Sequence, residues 1–382
     1  MCVLIRIADS AILIVAVPEQ ICPTHREGVM EMATATTVES TKTRAVWADV
    51  AKGVCILLVV LWHTVNKHYL QVDWKIGGAI PAMWGFFGDQ LMTLRMPLFF
   101  TISGMFAVSA FHRPWRVVVR SRVAKFLYLY LVWMLIHTAI LWFTPSFDTL
   151  SARSLGQFAE QLTITPPNLW YLYALALYFV AAKALKRVPV PILLGAAALL
   201  AVVAAADLIA TPGNRGSLLQ NFVFFLLGLH LRPHIERLTQ HTTWRRTGAI
   251  GAVYAIALLA MAATATQQTP TIWTAVSLIA TVFGLSAAPL VARWTHIGAA
   301  LSWLGRRTLP IYVIHMPILA LLHVTLIGKL SNASPAVQTV LAVAYPVIVT
   351  ALLVALCLLA EYGLKAARAT WLFELASRRT RV

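Results

Sequence analysis

The chain has 382 residues, 59% hydrophobic and 12% charged, with a mean hydropathy of +0.76 and a formal net charge of +17. Soluble domains carry about 25% charged residues, so water-soluble fold classes are excluded and the length divides into membrane spans of about 20 residues rather than into globular domains. The positive charge does not point to nucleic acid, because the lysines and arginines stand in short groups between apolar runs, as membrane topology requires.

Residues 1–43 come first. The stretch "AILIVAV" after Arg6 and Asp9 is too short to span and has no clear cleavage site, and residues 19–43 are polar and read as disordered. Met30 and Met32 precede this polar lead-in, and one of them is expected to be the true start. Residues 1–43 are therefore read as a disordered or misassigned cytoplasmic segment. Apolar runs then predict an all-α polytopic membrane domain over 44–363. About ten helices are expected, near 46–66, 80–111, 123–144, 168–186, 188–208, 217–232, 247–266, 270–292, 308–328 and 336–361. A basic tail, 364–382, follows.

Of the 31 lysines and arginines, 20 fall in connections that share one side. These are "HRPWRVVVRSRVAK", "KALKR", "LRPHIERLTQHTTWRR", the 293–307 segment and the tail with Arg378, Arg379 and Arg381. The opposite connections hold six: Lys67, Lys75, Arg95, Arg153, Arg215 and Lys329. The positive-inside rule puts the rich side, and both termini, in the cytoplasm. No inverted internal repeat is visible, which disfavours a transporter built from inverted halves. The four cysteines show no CxxC spacing and no disulfide framework, and no metal site is expected.

Ionisable residues inside a bilayer are costly and are functional candidates for that reason. His63, Arg95, His137 and His315 fall in the first, second, third and ninth spans, and Asp49 and Lys52 stand near the cytoplasmic mouth of the first. Lys52 and His63 are 11 residues apart, almost three turns and about 16 Å of rise, so they share a helix face; Asp49 joins them one turn earlier. Such a stripe would wall a polar channel. The plainer alternatives stand beside it. A lone intramembrane His often bonds a neighbouring helix, the favoured reading for His137; Arg95 could reach the outer interface; Asp49 and Lys52 could pair with each other.

Six stretches bear on the choice: "ADVAKGVCILLVVLWH", "MPLFFTISGMF", "RVAKFLYLYLVW", "NLWYLYALALYF", "NFVFFLLGLHL" and "SWLGRRTLPIYVIHMPIL". In this order they resemble the acyltransferase 3 family of integral membrane acyltransferases, over most of the chain from 48 to 319. The resemblance implies transfer of an acyl group, usually acetyl, from cytoplasmic acyl-CoA to a hydroxyl on a sugar, glycolipid or cell-envelope glycan. The family's first helix carries Arg, ten residues, then His; here Lys52 stands for the Arg and His63 matches the His. The family's R-x-x-R after the second helix is represented by Arg122 and Lys125. Both departures keep positive charge but lose the planar guanidinium fork. Some members carry an appended soluble domain; about 20 residues follow the last helix here, so none is expected.

The loop with Arg113, Arg116, Arg120, Arg122 and Lys125 offers five charges to a polyanionic donor. Ester formation needs a hydroxyl deprotonated as it attacks a thioester, and an imidazole with an ordinary pKa near 6.5 suits that task. His63 is expected to be the base, or a transient acyl carrier, and His315 to orient it, bind acceptor or serve structurally. Lys52, Arg120, Arg122 and Lys125 are expected to bind donor. Acyl-CoA enters as co-substrate with no tightly bound cofactor, in a bacterial plasma membrane, among membrane lipids. Two alternatives remain: a transporter or flippase for a lipid-linked sugar, and a non-catalytic scaffold.

Overall fold

The computed structural model describes residues 45–375, except 207, 210, 265, 267 and 268. The expected leader 1–43, the start at Met30 or Met32, and the tail residues Arg378, Arg379 and Arg381 lie outside the described residues. The described residues contain helices and no strand.

Helices stand at all ten expected positions: α1 Val46–Lys67, α2 Ala79–Gln90 running into α3 Met92–Phe111, then, after the one-turn α4 Trp115–Val118, α5 Ala124–Trp142. A short α6, Leu155–Thr163, precedes α7 Trp170–Ala184, α8 Val190–Ala205 and α9 Arg215–His230. The chain continues through a short α10, Arg232–Gln240, to α11 Trp244–Ala263, α12 Pro270–Val291, α13 Thr295–Gly305, α14 Thr308–Ser331 and α15 Pro335–Ala366. Among the described residues, seven stretches are long and apolar enough to cross a membrane: those of α1, α2–α3, α4–α5, α11, α12, α14 and α15. The apolar helices α7 and α8 have 15 and 16 residues, and α9 has 16. At 1.5 Å per residue each covers about 24 Å, less than a hydrocarbon core of about 30 Å.

Local chemistry sets several boundaries. Ser154, Ser334 and Thr243 cap α6, α15 and α11 with side-chain oxygens that accept from backbone N–H groups of the first turn. Prolines inside spans free a carbonyl four residues earlier, and at Pro317 and Pro346 another helix or turn supplies the donor. Pro317 in α14 frees the Val313 carbonyl, which accepts from His137 Nε2 of α5 at 2.8 Å. Pro346 in α15 frees the Ala342 carbonyl, which accepts from the Tyr69 hydroxyl at 2.7 Å. These hydrogen bonds meet a need that lipid cannot.

The 293–307 segment, read from sequence as a connection, contains α13. It lies against α1 so closely that a Cβ on Gly305 would overlap the Asp49 carbonyl, and one on Gly53 would overlap the Leu301 carbonyl. The start of the tail is also structured. After α15 the chain turns at Arg368, with φ 59°, and its Leu372 carbonyl accepts from Trp133 Nε1 at 2.7 Å. That bond anchors the segment to α5.

Candidate active site

Helices α1 and α3 run antiparallel in a register that two contacts fix. Lys52 Nζ lies 5.4 Å from the Phe106 ring centroid, and Arg95 Cζ lies 4.6 Å from that of Trp62. Ten residues of α1 are thus matched by eleven of α3, and Arg95 sits at the depth of Trp62 and His63.

Between α1, α3, α5, α7 and α14 is a cavity of about 550 Å³. Lys52, Phe106, Arg122, Lys125 and Arg306 line it where α1 begins, and Val59, Met96, Leu129, Tyr171 and Tyr312 line it deeper along the same helices. One end is therefore cationic and the other apolar with tyrosines. A five-residue π-helical turn, Val119–Val123, precedes α5. Such turns change the direction of the following face. Arg122 and Lys125 reach the cavity, while Arg120 is exposed and does not line it. Asp49 is buried and pairs with Lys52 at 2.7 Å, so the two form an ion pair within the expected stripe, of which only Lys52 meets the cavity.

His63 does not line the cavity; it stands one turn beyond Val59, with its Nδ1 2.9 Å from the Val59 carbonyl. His315 likewise follows Tyr312 by three residues and is fully buried. The two rings meet at 3.3 Å between His63 Nδ1 and His315 Nε2, with centroids 5.0 Å apart. Their tautomers follow from their partners. His315 Nδ1 faces the Ile311 carbonyl at 3.0 Å, which can only accept, so that nitrogen carries the proton and His315 Nε2 is an acceptor. His63 Nδ1 faces two acceptors, Val59 O and His315 Nε2, so it is the donor. The His63 Nε2 lone pair is left without a hydrogen bond among the described residues. This is the arrangement of a base held in one tautomer by a second group. His137, by contrast, is committed to the carbonyl that Pro317 frees.

Against this geometry the comparisons with known proteins can be set. The sequence model described as "Acyltransferase domain", of the acyltransferase 3 family, matches residues 45–361. The chain belongs to this family. It is 26% identical over 340 residues to the inner membrane protein YcfT of Escherichia coli (strain K12), an alignment that covers 80% of this chain and 88% of that protein. No solved structure matches. With seven helices among the described residues long and apolar enough to cross, this acyltransferase-family chain is a multi-pass membrane protein.

Sequence reading missed several residues that the fold of this acyltransferase-family protein brings together. Arg306 lines the cationic end of the cavity and bonds Ser302 Oγ at 2.8 Å. Its signal was the Arg306–Arg307 pair just before α14. Tyr171 and Tyr312 line the deep end, joined where the Tyr171 N–H donates to the Tyr312 hydroxyl at 3.1 Å. A second histidine pair, His68 and His323, joins α14 to the turn after α1 at 3.1 Å, and the Tyr345 hydroxyl closes on His68 Nε2 at 2.6 Å. His323 met the same intramembrane criterion as His315. Among the described residues, no group of three or more His, Cys, Asp or Glu could hold a metal ion.

Proposed function

We propose that this protein transfers an acyl group, acetyl in the simplest case, from cytoplasmic acyl-CoA to a hydroxyl of a sugar, glycolipid or cell-envelope glycan. The observation that carries this reading is the polarity of one cavity. Its cationic end suits the phosphates of CoA, and an imidazole pair stands one turn beyond its deep end. Lys52, Arg122, Lys125 and Arg306 hold the phosphates by charge-assisted hydrogen bonds. Arg120, exposed outside the cavity, adds only long-range attraction. The acyl thioester then points toward Val59 and Tyr312. His63 Nε2 takes the hydroxyl proton as the acceptor attacks, and His315 holds the ring in the tautomer that leaves that nitrogen free.

The same reading puts the cationic end, the basic connections and both termini on the cytoplasmic side of a bacterial inner membrane. No tightly bound cofactor takes part. The direct test is to incubate purified protein with acetyl-CoA labelled in the acetyl group and envelope glycolipids. Label entering an alkali-labile ester supports the reading; glycolipid flux without acyl transfer would favour a transporter instead. Mass spectrometry of glycolipids from deletion and wild-type cells would identify the acceptor.

A further inference from the structure

Arg95 stands in the first turn of α3 and is 5% exposed. Among the described residues its guanidinium makes no hydrogen bond and no ion pair, and Nη1 is wholly buried without a partner. Asp89, the carboxylate nearest in sequence, accepts from Trp62 Nε1 at 2.8 Å and attracts Arg95 from beyond ion-pair distance. What covers Arg95 is the indole face of Trp62, a contact that contributes attraction but accepts no N–H hydrogen bond in the guanidinium plane. A guanidinium carries five N–H donors, and burying one with its donors unused is costly in a membrane domain. An arginine kept only for packing would close on a carbonyl or a carboxylate. This one holds a buried donor, Nη1, in reserve.

Its position says for what. The α1–α3 register puts Arg95 level with His63, and Trp62 touches both side chains, its ring centroid 4.9 Å from that of His63. Met96, the next residue, lines the deep end of the cavity opposite Val59, whose carbonyl holds His63. Neither side chain lines the cavity; His63 follows the lining residue Val59 by one turn and Arg95 precedes the lining residue Met96, so both stand just beyond its deep end on two antiparallel helices.

We propose that Arg95 is a catalytic residue that stabilises the oxyanion formed at the thioester carbonyl during acyl transfer. The proposal rests on the acyl-transfer reading above. As the acceptor oxygen bonds to the carbonyl carbon, its proton passes to His63 Nε2. The carbonyl π pair moves onto oxygen, which accepts a hydrogen bond from Arg95 Nη1. Collapse of this intermediate breaks the carbon–sulfur bond. The thiolate of CoA leaves and takes the proton from His63, so the imidazole returns neutral and the guanidinium is unchanged. A fixed donor placed where negative charge develops favours the transition state over bound substrate.

The test uses the full chain in proteoliposomes, with acetyl-CoA turnover as one readout. The other is the dissociation constant of a ketone analogue of acetyl-CoA in which a methylene replaces sulfur. Arg95→Gln should lower kcat by about 10²–10³-fold, the loss typical of one oxyanion donor, and leave analogue binding within about twofold. Arg95→Lys, which keeps a buried charge but not the placed N–H, should lose at least about tenfold in kcat. An active wild type whose Arg95→Gln variant keeps kcat within about threefold, or loses only analogue binding, would overturn the proposal while leaving acyl transfer intact. If Arg95→Gln fails to fold, the lysine variant decides: normal turnover there overturns the placed donor equally. A wild type that transfers no acyl group would instead end the reading on which the proposal depends.

Discussion

Replacing His137 with leucine removes the N–H that the Val313 carbonyl accepts at 2.8 Å, while keeping an apolar side chain at a 5% exposed position. Residue 317 is proline, so the backbone of α14 cannot supply a substitute. A buried carbonyl left unsatisfied costs about 1–3 kcal/mol, and interhelical hydrogen bonds within membranes measure roughly 0.6 on average and up to about 1.7 kcal/mol. His137→Leu should therefore destabilise the fold by about 1–2 kcal/mol. The same substitution in a Pro317→Ala background should cost less than about 0.5 kcal/mol, because residue 317 then offers its own N–H to Val313. The coupling between the two sites is about 1 kcal/mol, large enough for a double-mutant cycle to resolve. Equilibrium unfolding of the four proteins by SDS in mixed micelles measures it. Equal losses in both backgrounds would refute the claim that His137 serves the carbonyl that the proline releases.

Two further outcomes follow from the cavity. Arg306→Ala, Arg122→Ala and Lys125→Ala should each raise the KM for acyl-CoA by roughly tenfold, the equivalent of about 1.4 kcal/mol, whereas Arg120→Ala, outside the cavity, should leave it within about twofold; steady-state titration of donor at fixed acceptor checks the contrast. Lys52→Arg should keep donor affinity and Lys52→Glu should weaken it strongly, because Lys52 lines the cationic end of the cavity and already pairs with Asp49 at 2.7 Å, so a second carboxylate there repels both Asp49 and a polyanionic donor; full activity of a well-inserted Lys52→Glu protein would reject the proposed role.

The spans were legible because a bilayer demands long apolar runs, and α1, α14 and α15 stay apolar over enough residues to cross despite the few ionisable ones they carry. The break at Leu91 between α2 and α3 was not legible, since no proline stands at it in "GFFGDQLMTLRMPLFF" and its polar Asp89, Gln90 and Arg95 fall within what reads as one 80–111 span. Nor was α13, whose flanking Arg293, Arg306 and Arg307 read as an ordinary topogenic loop. In the candidate site, helical spacing put Lys52 and His63 on one face of α1. It did not show that the face splits, with Lys52 lining the cavity and His63 turned one helical turn beyond it toward α14. The His63–His315 contact joins residues 252 positions apart and depends on how α1 and α14 pack, which no local pattern encodes. The cationic loop was legible in bulk but not in detail, because the π-helical turn before α5 decides which of its charges face inward.

The central claim is that His63 is the base. The most direct measurement is single-turnover acyl transfer by a folded His63→Gln protein saturated with labelled acetyl-CoA. Glutamine keeps a polar side chain beside His315 but cannot take a proton. Donor binding should be unchanged, because the cationic end of the cavity is intact, and the transfer rate should fall by about 10²–10⁴-fold, the contribution typical of a general base. A His63→Gln protein that binds donor and transfers the acyl group at near the wild-type rate would contradict the account and reduce the histidine pair to a contact between helices.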